Sequence, residues 1–427
     1  MKIAVIGAGI TGVTTAYSLL KRGHQPTVFD QHRYAAMETS YANGGQLSAC
    51  NAEVWNHWST IIKGLRWMLR SDAPLLMNPR PSWHKYSWLA EFAANIPRYR
   101  ENTVATVRLA LRARSLLAEI AAAEAIDFDH VGRGILHIYR DRVSFEHAKR
   151  VSRLLREGGL ERMPVGPSEI RAIEPTICGD YFGGFFTESD ATGDIHKFTR
   201  GLAEASKRRG VDFVHEAEVV WIDANPGSVS IRWNTHGDTG QRSQEVFDAV
   251  VICAGVGSKQ LASQLGDRVN VYPVKGYSIT VQLDSVRSQS AAPWVSLLDD
   301  AAKIVTSRLG QNRFRVAGTA EFNGANRDIR ADRIRPLIAW TNRLFPEVDT
   351  DNVAPWAGLR PMMPSMLPKV GQGRHSRVFY NTGHGHLGWT LSAATAEIVA
   401  SQLDQAISLK RFSPSNGGMS ASWPNVL

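Results

Sequence analysis

The chain begins with two short apolar runs separated by a glycine-rich turn and an amphipathic stretch. Residues 2–6 (KIAVI) are mostly apolar or β-branched, which predicts a parallel strand buried on both faces. Residues 13–21 predict a helix that ends at Gly23, and residues 25–29 (QPTVF) predict a second strand. The turn between the first strand and the helix reads GAGITG. This order predicts a βαβ unit.

The glycine spacing and a following acid predict a dinucleotide site in this unit. Gly7 permits a tight turn, Gly9 lets a pyrophosphate approach the backbone, and Gly12 allows the helix to pack closely on the strand. The N-terminal N–H groups of the helix would receive the phosphates. Asp30 follows Gly12 by 18 residues, where a carboxylate accepts from ribose hydroxyls. An ordinary glycine turn would not require this acid.

Later blocks carry similar strand and glycine signatures, and they alternate with segments of different character. The similar blocks are residues 193–220, 249–258 and 378–404. Residues 55–165 are helical and rich in tryptophan, and residues 270–350 show the alternation of antiparallel strands. The pattern predicts an α/β protein with a discontinuous Rossmann-type domain and a second α+β substrate domain that contains an antiparallel sheet. We assign residues 1–55, 166–262 and 352–427 to the first domain and residues 56–165 and 263–351 to the second.

Composition narrows the class of protein. The 427 residues are 43% hydrophobic and 21% charged, which is ordinary for a globular chain with two domains. The motif starts at residue 2 and no long apolar run follows, so we expect no leader, no spanning helix and a cytoplasmic location. The cysteines at positions 50, 178 and 253 are far apart, and His384 and His386 have no ligand partner nearby in sequence, so no metal site is expected.

The net charge of +9 raises the question of an acidic partner. Lys and Arg are spread along the chain without a nucleic-acid-binding motif, so no nucleic acid partner is predicted. A solvated basic surface is one interpretation, and attraction to an anionic membrane surface is the other. The tryptophan-rich residues 55–88 favour a peripheral approach to the inner face of the cytoplasmic membrane. Packing of these tryptophans over the entrance of a site explains them equally well.

Three further segments carry polar chemistry beside glycines. In residues 40–48 (SYANGGQLS), paired glycines between Asn43 and Gln46 offer backbone N–H groups to a flat polar ligand, although a surface turn would look the same. Residues 358–361 (GLRP) place Arg360 at a strand end. Residues 381–390 (NTGHGHLGWT) lead into a helix whose N-terminus can face a developing anion.

Together these segments resemble the D-amino-acid dehydrogenase family within the FAD-dependent D-amino-acid oxidase superfamily. The resemblance covers essentially the whole chain. It rests on seven segments in order, namely GAGITG (7–12), ETSYANGGQLS (38–48), TGDIHKFTRGLA (192–203), VVICAGVGS (250–258), PVKGYSIT (273–280), GLRPMMPSMLPKVG (358–371) and NTGHGHLGWTLS (381–392).

The resemblance implies FAD rather than NAD as the cofactor. The glycine turn would bind the pyrophosphate, Asp30 the adenosine ribose and Val219 the adenine region. Residues 43–46 would run along the flavin ring, and the loop that contains His386 would lie by its pyrimidine edge. The implied cofactor contacts are Gly7, Gly9, Ile10, Thr11, Gly12, Asp30, Asn43, Gly44, Gly45, Gln46, Leu47, Val219, Ala254, Gly255, Gly358, Gly385, His386, Leu387, Gly388, Trp389 and Thr390.

The resemblance also implies a reaction, the oxidative deamination of D-amino acids to 2-oxo acids and ammonia by hydride transfer from Cα to flavin N5. Electrons would pass to oxygen, a quinone or another electron-transfer carrier. The candidate catalytic residues are Arg360, Tyr277 and His386. Arg360 would clamp the substrate carboxylate through a bidentate contact, and a surface or ion-paired Arg is the alternative. Tyr277 would be a second substrate contact, and an ordinary strand aromatic is the alternative.

Two departures from the family pattern leave the substrate open. Residues 361–366 (PMMPSM) replace the family's usual turn after the L-R-P motif, and His386 stands where a small residue is usual. A reshaped cavity would suit a secondary amine or a cyclic imino acid, such as a D-hydroxyproline-like or opine substrate. A flavoprotein subunit that needs a partner chain for turnover is a further alternative.

Overall fold

The computed structural model describes residues 1–67, 74–235 and 242–412. The strands, in chain order, are β1 (Lys2–Ile6), β2 (Gln25–Phe29), β3 (Gln46–Leu47), β4 (Leu75–Met77), β5 (Ile135–Tyr139), β6 (Met163–Val165), β7 (Gly183–Thr187), β8 (Ala191–Thr192), β9 (Asp212–Val214), β10 (Ala217–Ala224), β11 (Val229–Thr235), β12 (Arg242–Phe247), β13 (Ala249–Ile252), β14 (Tyr272–Gln282), β15 (Ser296–Asp299), β16 (Ile304–Leu309), β17 (Arg313–Phe322), β18 (Val353–Met362), β19 (Lys369–Gln372) and β20 (Val378–Thr382). The helices are α1 (Ile10–Lys21), α2 (Trp58–Trp67), α3 (Trp83–Ala94), α4 (Tyr99–Ala123), α5 (Arg142–Glu157), α6 (Pro167–Ile173), α7 (Ile195–Arg208), α8 (Ser258–Gln264), α9 (Val286–Ala291), α10 (Ala331–Leu344) and α11 (Gly388–Phe412).

A six-stranded sheet forms the nucleotide-binding half, with strand order β19-β20-β13-β1-β2-β9. The strands from β20 to β9 are parallel, and β19 pairs antiparallel to β20. Helices α1, α7 and α11 share a core with one face, and the small sheet β10-β11-β12 shares a core with the other. Because both faces are covered, β1 is apolar on both sides, as the sequence predicts.

A nine-stranded sheet forms the second layer within the described ranges. Its order is β18-β14-β17-β16-β15-β5-β7-β6, with β4 added beside β17. Most pairs are antiparallel, whereas β15 with β5 and β17 with β4 are parallel. Helix α10 contributes to the core on one face. The predicted α/β architecture, with an antiparallel sheet assembled from distant segments, is confirmed.

The strand pairing departs from the sequence-based domain division at two strands. β7 lies within residues 166–262 and β18 within residues 352–427, which we assigned to the nucleotide-binding domain, yet both pair in the nine-stranded sheet. A strand's partner depends on distant residues, and local composition does not reveal it. The remaining domain boundaries stay predictions. None of the helices in the described ranges is long and apolar enough to cross a membrane.

Candidate active site

A cavity of about 670 Å³ is lined by residues from both large sheets. One end contains the glycine turn after β1. Gly7 has a φ of +106°, and a Cβ at Gly12 would lie 1.7 Å from the Gly7 carbonyl oxygen, so neither position accepts a side chain. A Cβ at Gly9 would meet only Ser40 Oγ, at 3.6 Å, because Gly9 borders the open cavity.

Helix α1 begins at this end of the cavity. Its N-cap is Gly9, which has no side chain to accept from the first turn, while the N–H of Ile10 donates to Ser40 Oγ at 3.0 Å. The helix begins three residues earlier than predicted, since Gly12 lies inside its first turn. An uncapped helix N-terminus beside a cavity is a site for an anion.

Asp30 fastens the glycine turn to the end of β2. Its carboxylate accepts from the backbone N–H of Ala8 at 2.6 Å and from that of His32 at 2.9 Å. Burial raises the pKa of Asp30, and the two N–H donors oppose this rise. Asp30 therefore positions the turn, and the residue lines the cavity in which a ribose is predicted.

The segment Asn43–Gln46 is held flat against the nine-stranded sheet. Asn43 Oδ1 accepts from the N–H of Gly45, which has a φ of +68°. Ser307 Oγ donates to the Gly44 carbonyl at 2.6 Å, and Arg315 Nη1 donates to the Asn43 carbonyl at 3.0 Å. A Cβ at Gly44 would lie 2.7 Å from a methyl group of Val305. A side chain would therefore not fit at position 44, and glycine is needed there to keep the backbone between the sheet and the cavity.

Arg360 lies on β18, in the nine-stranded sheet, and lines the same cavity. Its Nη1 donates to the Thr319 carbonyl at 3.0 Å. Within the described ranges, no carboxylate forms an ion pair with this guanidinium, and burial lowers its pKa to about 10. A buried cation without a counter-ion is costly unless a ligand supplies the negative charge. This arrangement favours a carboxylate ligand over the alternative of an ion-paired Arg.

A β-bulge aims the Thr319 carbonyl at Arg360. Lys275 pairs with Glu321 and Tyr277 with Gly318, so two residues of β17, Thr319 and Ala320, lie opposite Gly276 alone. Thr319 has a φ of +58°, a strained conformation for a β-branched residue. Its hydroxyl is buried without a partner in the described chain, and the residue borders the cavity.

Gly276 makes room for the guanidinium of Arg360. A Cβ at Gly276 would lie 2.3 Å from Arg360 Nη2 and 2.4 Å from Cζ. Sequence reasoning missed Gly276 and Thr319. Gly276 does stand inside the PVKGYSIT segment, but we singled out its neighbour Tyr277.

The hydroxyl of Tyr277 is already engaged within the protein. It donates to Glu321 Oε2 at 2.7 Å, and the side chain is packed in the core under the nine-stranded sheet, with 1% exposure. Tyr277 borders the cavity, but its hydroxyl is committed to Glu321. The geometry supports the alternative in which Tyr277 is an ordinary aromatic residue of a strand. We therefore do not propose Tyr277 as a substrate contact.

His386 stacks on Trp55, with ring centroids 4.7 Å apart and planes inclined by 19°. Its Nε2 lies 3.4 Å from the carbonyl oxygen of Asn51. The sequence could indicate an aromatic-rich segment near residue 55, but not that one of its members stacks on the loop after β20. Trp55 is half-buried. Of the other tryptophans in residues 55–88, Trp88 is buried, Trp58 and Trp83 are exposed, and the side chain of Trp67 lies outside the described part of the chain.

Most predicted cofactor contacts share the one cavity. Gly12, Leu47 and Leu387 do not line it, because Gly12 packs on the glycine turn and both leucines are buried in apolar clusters. Those that line it are Gly7, Gly9, Ile10, Thr11, Asp30, Asn43, Gly44, Gly45, Gln46, Val219, Ala254, Gly255, Gly358, Gly385, His386, Gly388, Trp389 and Thr390.

The fold and the cavity together define a dinucleotide-binding protein whose site is also lined by a cation, Arg360, without a counter-ion in the described chain. The chain belongs to the family described as FAD dependent oxidoreductase, whose pattern matches residues 2–402. Its cofactor is therefore FAD, and the predictions of a flavoprotein and of an oxidoreductase are confirmed.

Curated relatives and solved structures agree with this family. The chain is 62% identical to D-amino acid dehydrogenase 3 of Mesorhizobium japonicum over 93% of this chain and 96% of that protein. It is 42% identical to the D-amino acid dehydrogenase of Paramagnetospirillum magneticum, over 94% of each. The crystal structure of glycine oxidase from Geobacillus kaustophilus has a similar fold, with a TM-score of 0.72, 20% identity and 94% of each chain covered. The resemblance drawn from the seven segments is confirmed.

Proposed function

We propose that this protein catalyses the FAD-dependent oxidative deamination of D-amino acids and passes the electrons to a quinone-type or other carrier. The observation that carries this proposal is the guanidinium of Arg360, which lines the dinucleotide cavity without a counter-ion among the described residues. The names of the curated relatives support the D-amino acid as substrate. The reshaped residues 361–366 leave the choice among D-amino acids open.

The residues that line the cavity fit FAD. Gly9 and the uncapped start of α1 would hold the pyrophosphate, Asp30 would hold the adenosine ribose, and Val219 would border the adenine. The flat segment Asn43–Gln46 would lie along the flavin ring. When bound, FAD supplies the redox chemistry by accepting the two electrons of the oxidation.

The chain's own residues orient the substrate and exclude water. Arg360 would bind the carboxylate with two parallel N–H donors, and the Thr319 carbonyl keeps the guanidinium in place. The indoles of Trp55 and Trp356 line the cavity and limit the water that reaches Cα. The substrate would lose its Cα hydrogen with two electrons, and water would hydrolyse the imine to a 2-oxo acid and ammonia. Orientation supplies much of the barrier reduction in such a site.

A panel of D-, L- and N-substituted amino acids tests the proposal, with dye and oxygen as alternative acceptors. Purified protein loaded with FAD should reduce the dye with D-amino acids and release equal amounts of 2-oxo acid and ammonia. Turnover only with secondary amines or cyclic imino acids would replace this substrate assignment. Turnover only after another chain is added would indicate a subunit that needs a partner.

Gly276→Ala should weaken the carboxylate clamp without loss of FAD. The new methyl would overlap the guanidinium, and a displacement of about 1 Å at such a site costs up to about 100-fold in rate. We expect the KM for a D-amino acid to rise about tenfold or more at unchanged flavin content. Gly227→Ala is the matched control, because a Cβ there would meet nothing within 4 Å. An unchanged KM in Gly276→Ala would contradict the placement of Arg360.

We also propose that an aromatic patch beside the cavity approaches a membrane surface. We use the term patch for the exposed side chains of Trp58 and Ile62 on α2 and of Trp83 and Tyr86 on α3; Trp83 is 84% exposed and Trp58 62% exposed. Ser59 and Thr60, in the same helix as Trp58, line the cavity. Residues 57–84 contain four Lys or Arg and one acidic residue, which suits an anionic surface. A lipid-soluble carrier would then reach the site directly.

The membrane proposal predicts binding to vesicles that contain anionic phospholipid. Trp58→Ala combined with Trp83→Ala should lower the bound fraction in co-sedimentation, with a partition coefficient about tenfold smaller. Val143→Ala combined with Val286→Ala is the matched control, since these residues are 81% and 80% exposed outside the patch. Equal binding of both double variants would contradict the proposal.

A further inference from the structure

Part of the cavity is lined by helix α5 and strand β5, away from the residues that the sequence analysis selected. We use the term side branch for this part, whose lining residues are His137, Tyr139, Ala148, Val151 and Arg162. Contacts connect them, since Arg162 Nη1 lies 3.3 Å from His137 Nδ1 and Arg162 Nη2 donates to the Ala148 carbonyl at 3.3 Å. Tyr139 and Ala148 also share a small apolar core.

The side branch adjoins the part of the cavity that Arg360 lines. His137 Nε2 lies 3.1 Å from Cys50 Sγ, and the carbonyl oxygen of the next residue, Asn51, lies 3.4 Å from His386 Nε2. Burial, and then the charge of Arg360, lower the pKa of His386 to about 4, so this ring is also near Arg360. All five residues line the cavity. A ligand held by Arg360 can therefore extend past residues 50–51 into the side branch.

The sheet sets how far such a ligand must extend. Arg360 lies on β18 and Tyr139 on β5, and the strands between them are β14, β17, β16 and β15. Five strand spacings of about 4.8 Å thus separate the two backbones. Both side chains line the cavity and occupy part of this separation. The remainder suits an extended side chain on the ligand rather than a hydrogen or a methyl group.

The hydroxyl of Tyr139 is an uncommitted polar group in the side branch. It has no hydrogen-bond partner among the described residues, yet it is not sealed from water, and the residue is 7% exposed. Burial raises the pKa of Tyr139, so the hydroxyl keeps its hydrogen at neutral pH and can donate it. The groups that also act on this pKa all line the cavity, namely Arg162, Asp300, Glu53 and Cys50. The hydroxyl therefore faces the side branch.

The formal charges around this hydroxyl are balanced. Arg162 and Lys303 are cations, and Asp300 and Glu53 are carboxylates, and all four border the cavity. Lys303 forms an ion pair with Asp300, and Glu53 accepts from the hydroxyl of Tyr99 at 2.5 Å. An ammonium or a carboxylate would meet a group of its own sign here. A neutral polar group fits the side branch better than either.

We propose that the side branch binds the side chain of the substrate and that the Tyr139 hydroxyl donates a hydrogen bond to an amide oxygen at its end. The inference rests on the proposed function and defines a substrate class for it, D-amino acids with a carboxamide side chain such as D-asparagine and D-glutamine. Ala148 and Val151 would contact the methylene groups. Arg360 would hold the carboxylate of the same molecule.

Pairs of D-amino acids with the same side-chain shape test the role of Tyr139. D-leucine has the shape of D-asparagine without its amide, and D-2-amino-5-methylhexanoate has that of D-glutamine. Tyr139→Phe removes only the hydroxyl, and its ring can still pack against Phe145 and Phe185. The kcat/KM of the amide divided by that of its apolar counterpart should fall about 5- to 100-fold for at least one pair, because the buried amide oxygen loses its donor.

Tyr181→Phe is the matched control. Tyr181 is also 7% exposed, but its hydroxyl donates to the Cys178 carbonyl at 2.6 Å and the residue does not line the cavity. The same atom is removed in both variants, so the ratio of kcat/KM values should stay constant in Tyr181→Phe. Flavin content is measured for each protein.

An unchanged ratio for both pairs in Tyr139→Phe would overturn the inference, as would an equal fall in Tyr181→Phe or oxidation of the apolar members alone by the unsubstituted protein. If the unsubstituted protein oxidises none of these D-amino acids, the proposed function fails and the inference fails with it. Oxidation at ratios that do not respond to Tyr139→Phe refutes the inference alone. The two failures are therefore distinguishable.

Discussion

Arg360→Leu is expected to lower kcat/KM for a D-amino acid by about 30- to 5,000-fold while the protein keeps its FAD. The range corresponds to about 2–5 kcal/mol for the loss of one partner of a desolvated, hydrogen-bonded charge pair. Arg360 has no other counter-ion in the described chain, so the substrate carboxylate would be its partner. For Arg360→Lys, kcat/KM should lie between that of the unsubstituted protein and that of Arg360→Leu, because a single ammonium cannot reproduce the bidentate contact.

The unfolding temperature of Arg360→Leu gives a second test of the role of Arg360. Because the half-buried Arg360 guanidinium has no counter-ion in the described chain, Arg360→Leu should unfold at the same or a higher temperature than the unsubstituted chain. Steady-state kinetics and calorimetry check the two effects. Unchanged kinetics, or lost activity together with a lower unfolding temperature, would indicate a structural Arg rather than a clamp.

Gly12→Ala is expected to prevent FAD binding by disrupting the fold around the glycine turn. A Cβ would lie 1.7 Å from the Gly7 carbonyl oxygen, and both atoms belong to backbone segments that cannot move independently. Separating α1 from the turn would cost more than about 3 kcal/mol, the upper part of the range for overpacking. The purified variant should be colourless and should unfold at a lower temperature.

Gly9→Ala separates loss of cofactor from loss of fold. Its Cβ would meet only Ser40 Oγ, at 3.6 Å, so the chain should fold normally. The methyl would nevertheless stand where the pyrophosphate is expected, and FAD affinity should fall. Gly227→Ala should change neither property. A yellow, normally stable Gly12→Ala protein would contradict the assigned packing of α1.

The nucleotide-binding half was predictable because its signals are local. A buried strand, a glycine turn, a helix and an acid follow one another within residues 2–30, and each constrains the next. The boundaries were less accurate: α1 begins at Ile10 and α11 at Gly388, before the predicted starts, because glycines inside a first turn look like loop residues in the sequence.

The substrate end was only partly predictable because its geometry depends on pairing between distant strands. Arg360 was identified from the L-R-P motif, but the bulge at Thr319 arises from the register of β17 on β14. Gly276 matters because it has no side chain to displace the Arg360 guanidinium. The sequence analysis selected the neighbouring Tyr277 instead. The pairing of β7 and β18 in the nine-stranded sheet could not be read from the sequence for the same reason.

The most direct test of the central claim is anaerobic mixing of the FAD-loaded protein with each D-amino acid and its L-enantiomer, followed by the visible flavin absorbance. The account predicts that a D-amino acid bleaches this band, that its L-enantiomer does not, and that Arg360→Leu abolishes the bleaching at the same concentration. Absence of bleaching by every D-amino acid, or equal bleaching in Arg360→Leu, would contradict it.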